Sequence, residues 1–138
     1  MISVTEKSRC AVRALAELSR RAVAGPVPIL EIADAVEVPV HVLEQLFASL
    51  RRAGILQSQR GVRGGYSFRR APAEVTVLEV VETVDGAIGG PSPRGGDDAT
   101  REIWNEVRRR VVEVLGEVSI ADIVEREARL RAAPMFHI

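Results

Sequence analysis

The residues with the plainest chemical potential are arginines set among glycines. Arg60-Gly61-Val62-Arg63-Gly64-Gly65 carries two guanidinium groups, two more follow at Arg69 and Arg70, and none of the four has an acidic neighbour in sequence. Across residues 51–70 there are six arginines and no acid. Guanidinium groups pair with phosphate and fit narrow minor grooves, so an exposed cationic loop of this kind suits a polyanion. Two strand-like runs, Ile55–Gln59 and Tyr66–Arg69, flank the loop, and its glycines permit the positive φ of a tight hairpin tip. A Gly-rich turn carrying arginine for solubility is the plainer alternative, and what precedes the hairpin decides between them.

Upstream, Leu43, Leu46, Phe47 and Leu50 recur at i, i+3, i+4, i+7 and define the core face of a helix over 39–53. Its opposite face presents His41, Glu44, Gln45, Ser49 and Arg52. In a major groove, Glu44 could accept from a cytosine amino group and Gln45 could pair with adenine. On a lone helix such residues are ordinary solvated side chains; ahead of a cationic hairpin they read as a recognition helix. Pro39 suits the N1 position of this helix, and Gly54 its C′ position. A shorter helix through Val36 precedes it, with Pro28 in the first turn and Ile29, Ile32, Ala33 and Val36 on one side. The order is helix, turn, helix, wing. Expected DNA contacts are His41, Glu44, Gln45, Arg52, Arg60, Gly61, Arg63 and Tyr66, although Tyr66 and Phe68 alternate with Ser67 in a way that also points their rings into the core.

These segments need a scaffold. The first helix runs to about Ala22 with a stripe of Ala11, Leu15, Leu18 and Ala22; either Ser3, in a capping box with Glu6, or Thr5 opens it. A second capping box, Thr76 to Glu79, opens a helix through about Val84, stopped by Gly86. Residues 86–96 hold five glycines and two prolines, which predicts a flexible loop without a core of its own. A long helix follows over about Ala99–Gly116, with Trp104, Val107, Val111, Val114 and Val118 in a heptad stripe. The preceding helices already make a core, so this stripe calls for another surface, and a homodimer seam is the expectation. Ser119 caps a last helix to about Arg129, and residues 130–138 read as a loosely held tail. The expected division is therefore a winged helix-turn-helix unit over 1–85, a flexible loop over 86–98, the dimerisation and C-terminal helices over 99–129, and the tail. The fold class is mainly α with a small β-hairpin wing.

Composition sets limits on function. The formal net charge is zero, yet residues 1–75 carry +4 and residues 76–138 carry −4, and nucleic-acid binding depends on a local basic face rather than the total. Cys10 is the only cysteine, which excludes an intrachain disulfide and any four-cysteine centre; a buried structural thiol is the default for it, a redox role the alternative. His41 and His137 are too scattered for a metal site, so no metal or cofactor is expected. No catalytic set is visible, and the chain is not expected to be an enzyme. Glu6, Lys7 and Arg9 interrupt the first apolar stretch, and no run approaches the roughly 20 apolar residues of a membrane span. A cytoplasmic location and no membrane partner are expected.

Four segments sharpen the reading: Ser8-Arg9-Cys10-Ala11-Val12-Arg13-Ala14-Leu15, Leu43-Glu44-Gln45-Leu46-Phe47 with Leu50-Arg51-Arg52-Ala53-Gly54, Arg60-Gly61-Val62-Arg63-Gly64-Gly65-Tyr66, and Val75-Thr76-Val77-Leu78-Glu79-Val80-Val81-Glu82. With them the chain resembles the Rrf2 (Rrf-two) family of bacterial winged-helix transcription regulators, the IscR, NsrR and CymR type. The resemblance implies a homodimer whose long helices cross, and contacts to double-stranded DNA from Glu44, Gln45, Arg60 and Arg63. Many relatives place three cysteines after the fourth helix and bind an iron–sulfur cluster; residues 86–100 here contain none, so that chemistry does not carry over. The expected function is a sequence-specific transcriptional regulator, a repressor on a palindromic operator, with its effector unknown. The alternative is a winged-helix protein-interaction module without specific DNA binding.

Overall fold

The computed structural model describes residues 4–88 and 99–132. Helix α1 (Glu6–Arg21) opens at Thr5, whose hydroxyl accepts from the Ser8 N–H at 3.4 Å. Thr5 is thus the cap of the two candidates, and Ser3 lies outside the described residues. Ala11, Leu15 and Leu18 are fully buried, as the stripe requires, but the α-helix stops at Arg21 and Ala22–Ala24 form a 3-10 turn. Helices α2 (Ile29–Val36) and α3 (Val40–Arg52) each follow a proline in the N-cap position, Pro28 and Pro39, so both helices begin one residue later than expected.

The turn between α2 and α3 contains a feature with no signal in the sequence. Glu37 adopts a left-handed conformation, φ 56° and ψ 44°, where glycine is usual. The Arg13 guanidinium donates to the Val36 carbonyl at 2.9 Å, supplying one of the donors that the last carbonyls of a helix lack. Strands β1 (Leu56–Gln59) and β2 (Gly65–Phe68) form an antiparallel hairpin; β1 starts one residue later than expected, and β2 keeps its expected length but lies one residue earlier. Helix α4 (Val77–Asp85) is capped by Thr76, which accepts from the Glu79 N–H at 3.1 Å. The Glu79 carboxylate does not complete the box; it turns to Arg70.

Helix α5 (Ala99–Gly116) matches the expected range, and none of its residues is buried. Val118 lies past the helix end: its carbonyl accepts from the Val77 N–H at 2.8 Å, beside a single antiparallel bridge between Thr76 and Ser119. Helix α6 (Ile120–Ala132) runs three residues beyond the expected limit. It opens with a reciprocal cap, Ser119 and Asp122 each accepting from the other's N–H at 3.0 and 2.9 Å. It folds back onto α1, where Arg20 pairs with Glu127 and the buried Ile120 enters the core. That core gathers Leu15, Leu18, Ile32, Leu43, Phe47, Leu50, Ile55 and Val80 around one centre. Each such fully buried side chain contributes on the order of 1.5–3 kcal/mol. Part of the expected flexible segment is packed: Ile88 is buried and its N–H reaches the Glu82 carboxylate at 3.0 Å. No described helix is long and apolar enough to cross a membrane.

Candidate nucleic-acid interface

On α3 the buried residues are Leu43, Leu46, Phe47 and Leu50, and the face turned to solvent carries His41, Glu44, Gln45 and Arg52. Burial of one stripe holds this polar face outward. Ala53 closes the helix and Gly54 takes φ +80°, the C′ glycine anticipated. The chain then turns into β1, tied to α3 by the Ile55 N–H donating to the Leu50 carbonyl at 3.0 Å. Arg51 adds a side-chain tie from α3 to β1, through the Ser58 hydroxyl at 3.3 Å.

The register Gln59↔Gly65 leaves Arg60 to Gly64 as the hairpin loop. The Gly64 N–H donates to the Gly61 carbonyl at 2.9 Å, so Val62 and Arg63 occupy the corners of a tight turn. Each glycine answers a separate demand. Gly61 has φ +117°, a side chain at Gly64 would meet the Gln59 carbonyl oxygen at 2.3 Å, and one at Gly65 would meet Val27 backbone atoms at 2.3 Å. The last approach marks a connection the sequence reading missed: Val27 and Tyr66 exchange backbone hydrogen bonds of 2.9 and 2.8 Å, fastening the return strand to the segment before α2. Val27 shows no such role by type or spacing, because a single bridged residue leaves no period.

The six arginines of 51–70 divide into two groups. Arg52 reaches the Ser49 hydroxyl at 3.2 Å and Arg51 is tied to Ser58. Arg70, which has no acidic neighbour in sequence, acquires one in space: it pairs with Glu79 and donates to the Glu74 carbonyl at 3.0 Å. The Glu79 hydrogen bond raises its pKa further above the ordinary arginine value. It braces the hairpin's exit against α4 and is not a spare cation. Arg60, Arg63 and Arg69 are exposed and make no side-chain hydrogen bond or ion pair among the described residues. Tyr66 packs its ring edge-on against Phe47, centroids 5.0 Å apart at 70°, so its ring serves the core. The arrangement presents a polar helix face and a cationic loop, joined by backbone ties and a shared core.

Away from this surface, Cys10 is half-buried on α1 with its sulfur 4.0 Å from a Glu6 carboxylate oxygen. Of the expected seam residues, Trp104, Val107 and Val114 on α5 are exposed, as is Ile103; Val111 is half-buried, and so is Val118 beyond the helix end.

The Rrf2 family of iron-dependent transcriptional regulators matches residues 4–126. The regulator IscR of Xenorhabdus nematophila is 32% identical over 137 residues, covering 94% of this chain and 84% of that protein. CymR, the global cysteine regulator of B. subtilis, superposes with a TM-score of 0.83 at 31% identity, covering 91% of this chain and 98% of that one. T. potens IscR gives a TM-score of 0.79 at 29% identity, over 91% and 88% of the two chains. The family description raises iron, and the donor set does not fit it. The sequence supplies one cysteine and two histidines, and the described residues contain no group of three or more His, Cys, Asp or Glu side chains able to hold a metal. Iron–sulfur centres are held chiefly by thiolates, of which a single Cys10 is too few.

Proposed function

We propose, from the premise that this chain belongs to the Rrf2 family and is a DNA-binding transcriptional regulator, that it works as a homodimer on an inverted-repeat operator and represses by occluding a promoter. The observation that carries this reading is the pairing of an outward polar α3 face with a wing whose Arg60 and Arg63 have no partner among the described residues. In the proposed complex α3 enters the major groove, with Glu44 and Gln45 at base edges and His41 and Arg52 nearer the backbone. Arg60, Gly61 and Arg63 follow the backbone or minor groove beside it.

Support for the dimer comes from α5, an 18-residue helix with no buried side chain whose apolar residues include Ile103, Trp104, Val107 and Val114. Such a face gains most by covering itself, and a second copy supplies an identical one. Two copies would present two α3 helices and two wings related by a twofold axis, which an inverted repeat matches. The family is one of regulators rather than enzymes, and Cys10 remains a candidate for redox control. The test is selection of duplexes from a random pool by the purified protein. An inverted repeat with steeply salt-dependent affinity is expected; the absence of saturable duplex binding overturns the reading in favour of a protein-interaction module.

A further inference from the structure

Val62 is the most exposed of the large apolar side chains among the described residues, at 106% relative accessibility. It stands at a corner of the wing turn, between Arg60 and Arg63 in sequence. Nothing in the fold rewards a β-branched apolar side chain there, because it touches no core and exposes its whole surface. The loop around it is stripped of bulk: Gly61 and Gly64 leave only Arg60, Val62 and Arg63 with side chains. A narrow loop tip that bears two cations with an apolar group between them matches the chemistry of a minor groove, with its phosphate rims and walls of deoxyribose.

We propose that Val62 is a specificity-determining contact that enters the minor groove between the two arginines and favours A·T pairs there. The inference rests on the DNA-binding reading and deepens it. The physical cause is the guanine amino group, the one donor that distinguishes G·C from A·T in this groove. Packing Val62 over that amino group strips it of water and offers no acceptor, a penalty that A·T pairs escape. The arginines hold the loop at the groove through charge, and the valine discriminates what lies on its floor.

The test uses the duplex selected by the full-length protein, with the wing-facing pairs located by minor-groove footprinting. Replacing those A·T pairs with G·C is expected to weaken wild-type binding about tenfold, the scale of one unfavourable base pair. Replacement with inosine·cytosine, which lacks the amino group, should restore affinity. Val62→Ser, whose hydroxyl accepts from the amino group, should reduce the G·C penalty to about twofold while leaving the inosine duplex unchanged. Circular dichroism should show a wild-type fold for this exposed substitution. A wild type that binds its duplex but has no G·C penalty at these pairs, or a Val62→Ser variant that keeps the full penalty, overturns the inference alone. A wild type that selects no duplex sinks the DNA-binding reading beneath it.

Discussion

Glu44 and Arg60 carry opposite charges on surfaces proposed to face the same polyanion, so removing them should have opposite consequences. A carboxylate near phosphates repels DNA unless it meets a donor such as the cytosine amino group. Glu44→Ala is therefore expected to relax sequence preference while leaving affinity for a scrambled duplex equal or higher. Arg60→Ala should weaken binding to both duplexes and make the salt dependence shallower by about one unit for each phosphate no longer neutralised. Fluorescence anisotropy on operator and scrambled duplex at matched salt checks both; equal losses on the two duplexes for Glu44→Ala would make Glu44 structural. Cys10 supports a separate expectation. After anaerobic incubation with iron and sulfide the visible spectrum should stay featureless, and stoichiometric iron and sulfide with charge-transfer bands would contradict the donor-set reasoning.

At the scale of elements, the wing depends on backbone fastening more than on its own two short strands. Gly65→Ala places a methyl group 2.3 Å from Val27 backbone atoms, at a φ of +156°. Relieving it requires the Val27–Tyr66 bridge to open and loosens Tyr66 from Phe47. A loss of about 1–3 kcal/mol is expected from such overpacking, measurable by chemical denaturation. A second fastening joins the two ends of the winged unit. The Asp85 carboxylate at the end of α4 accepts from the Ser8 hydroxyl at 2.6 Å, the Thr5 hydroxyl at 2.6 Å and the Thr5 N–H at 2.9 Å. Burial alone would push this carboxyl up, but the bonds from Ser8 and Thr5 outweigh it and hold it below the usual aspartate value. A depressed folded-state pKa means that the stabilisation is present above the unfolded value of about 3.9 and is lost as pH falls through the folded one. Thermal scans from pH 7 to below pH 3 should show Asp85→Asn destabilised at neutral pH, by roughly 1–2 kcal/mol after allowance for solvent. The gap from wild type should close at the acid end; a gap independent of pH would rule out the charged-carboxylate account.

For the whole molecule, the question is what covers α5. Val111→Glu introduces an unpaired carboxylate into the proposed seam, where burial without a partner is costly. Light scattering at micromolar concentration should give a dimer for wild type and a monomer for the variant. The variant should bind a single half-site duplex about as well as the wild type's own half-site, and the full inverted repeat far more weakly. A monomeric wild type would remove the dimer from the proposal. The structure also links this helix to the winged unit: Val77 donates to Val118 and Ile120 donates to Val75, so the turn after α5 is hydrogen-bonded to the start of α4 and the segment before it.

The six α-helices and the hairpin wing were legible in the sequence, whereas the 3-10 turns at Ala22–Ala24 and Pro72–Glu74 were not. Periodicity located α1, α3 and α5 because a single stripe of apolar residues is enough to place a helix. Glycines among arginines marked the wing, and the polar face of α3 followed from its buried one. Contacts between residues far apart in the chain, or alone in their type, emerged only in the assembled fold. Arg70 looked free until Glu79 met it, because an ion pair across nine residues and two elements leaves no local pattern. Val27 joined β2 as one bridged residue, Glu37 took a left-handed turn that its side chain does not advertise, and Asp85 reached back to Ser8 across the fold. Helix α6 returned to α1 and placed Ile120 in the common core, since the Ser119 cap marks where the helix starts but not what it packs on. Local spacing specifies which face of an element is buried; only the assembled chain specifies the partner that buries it.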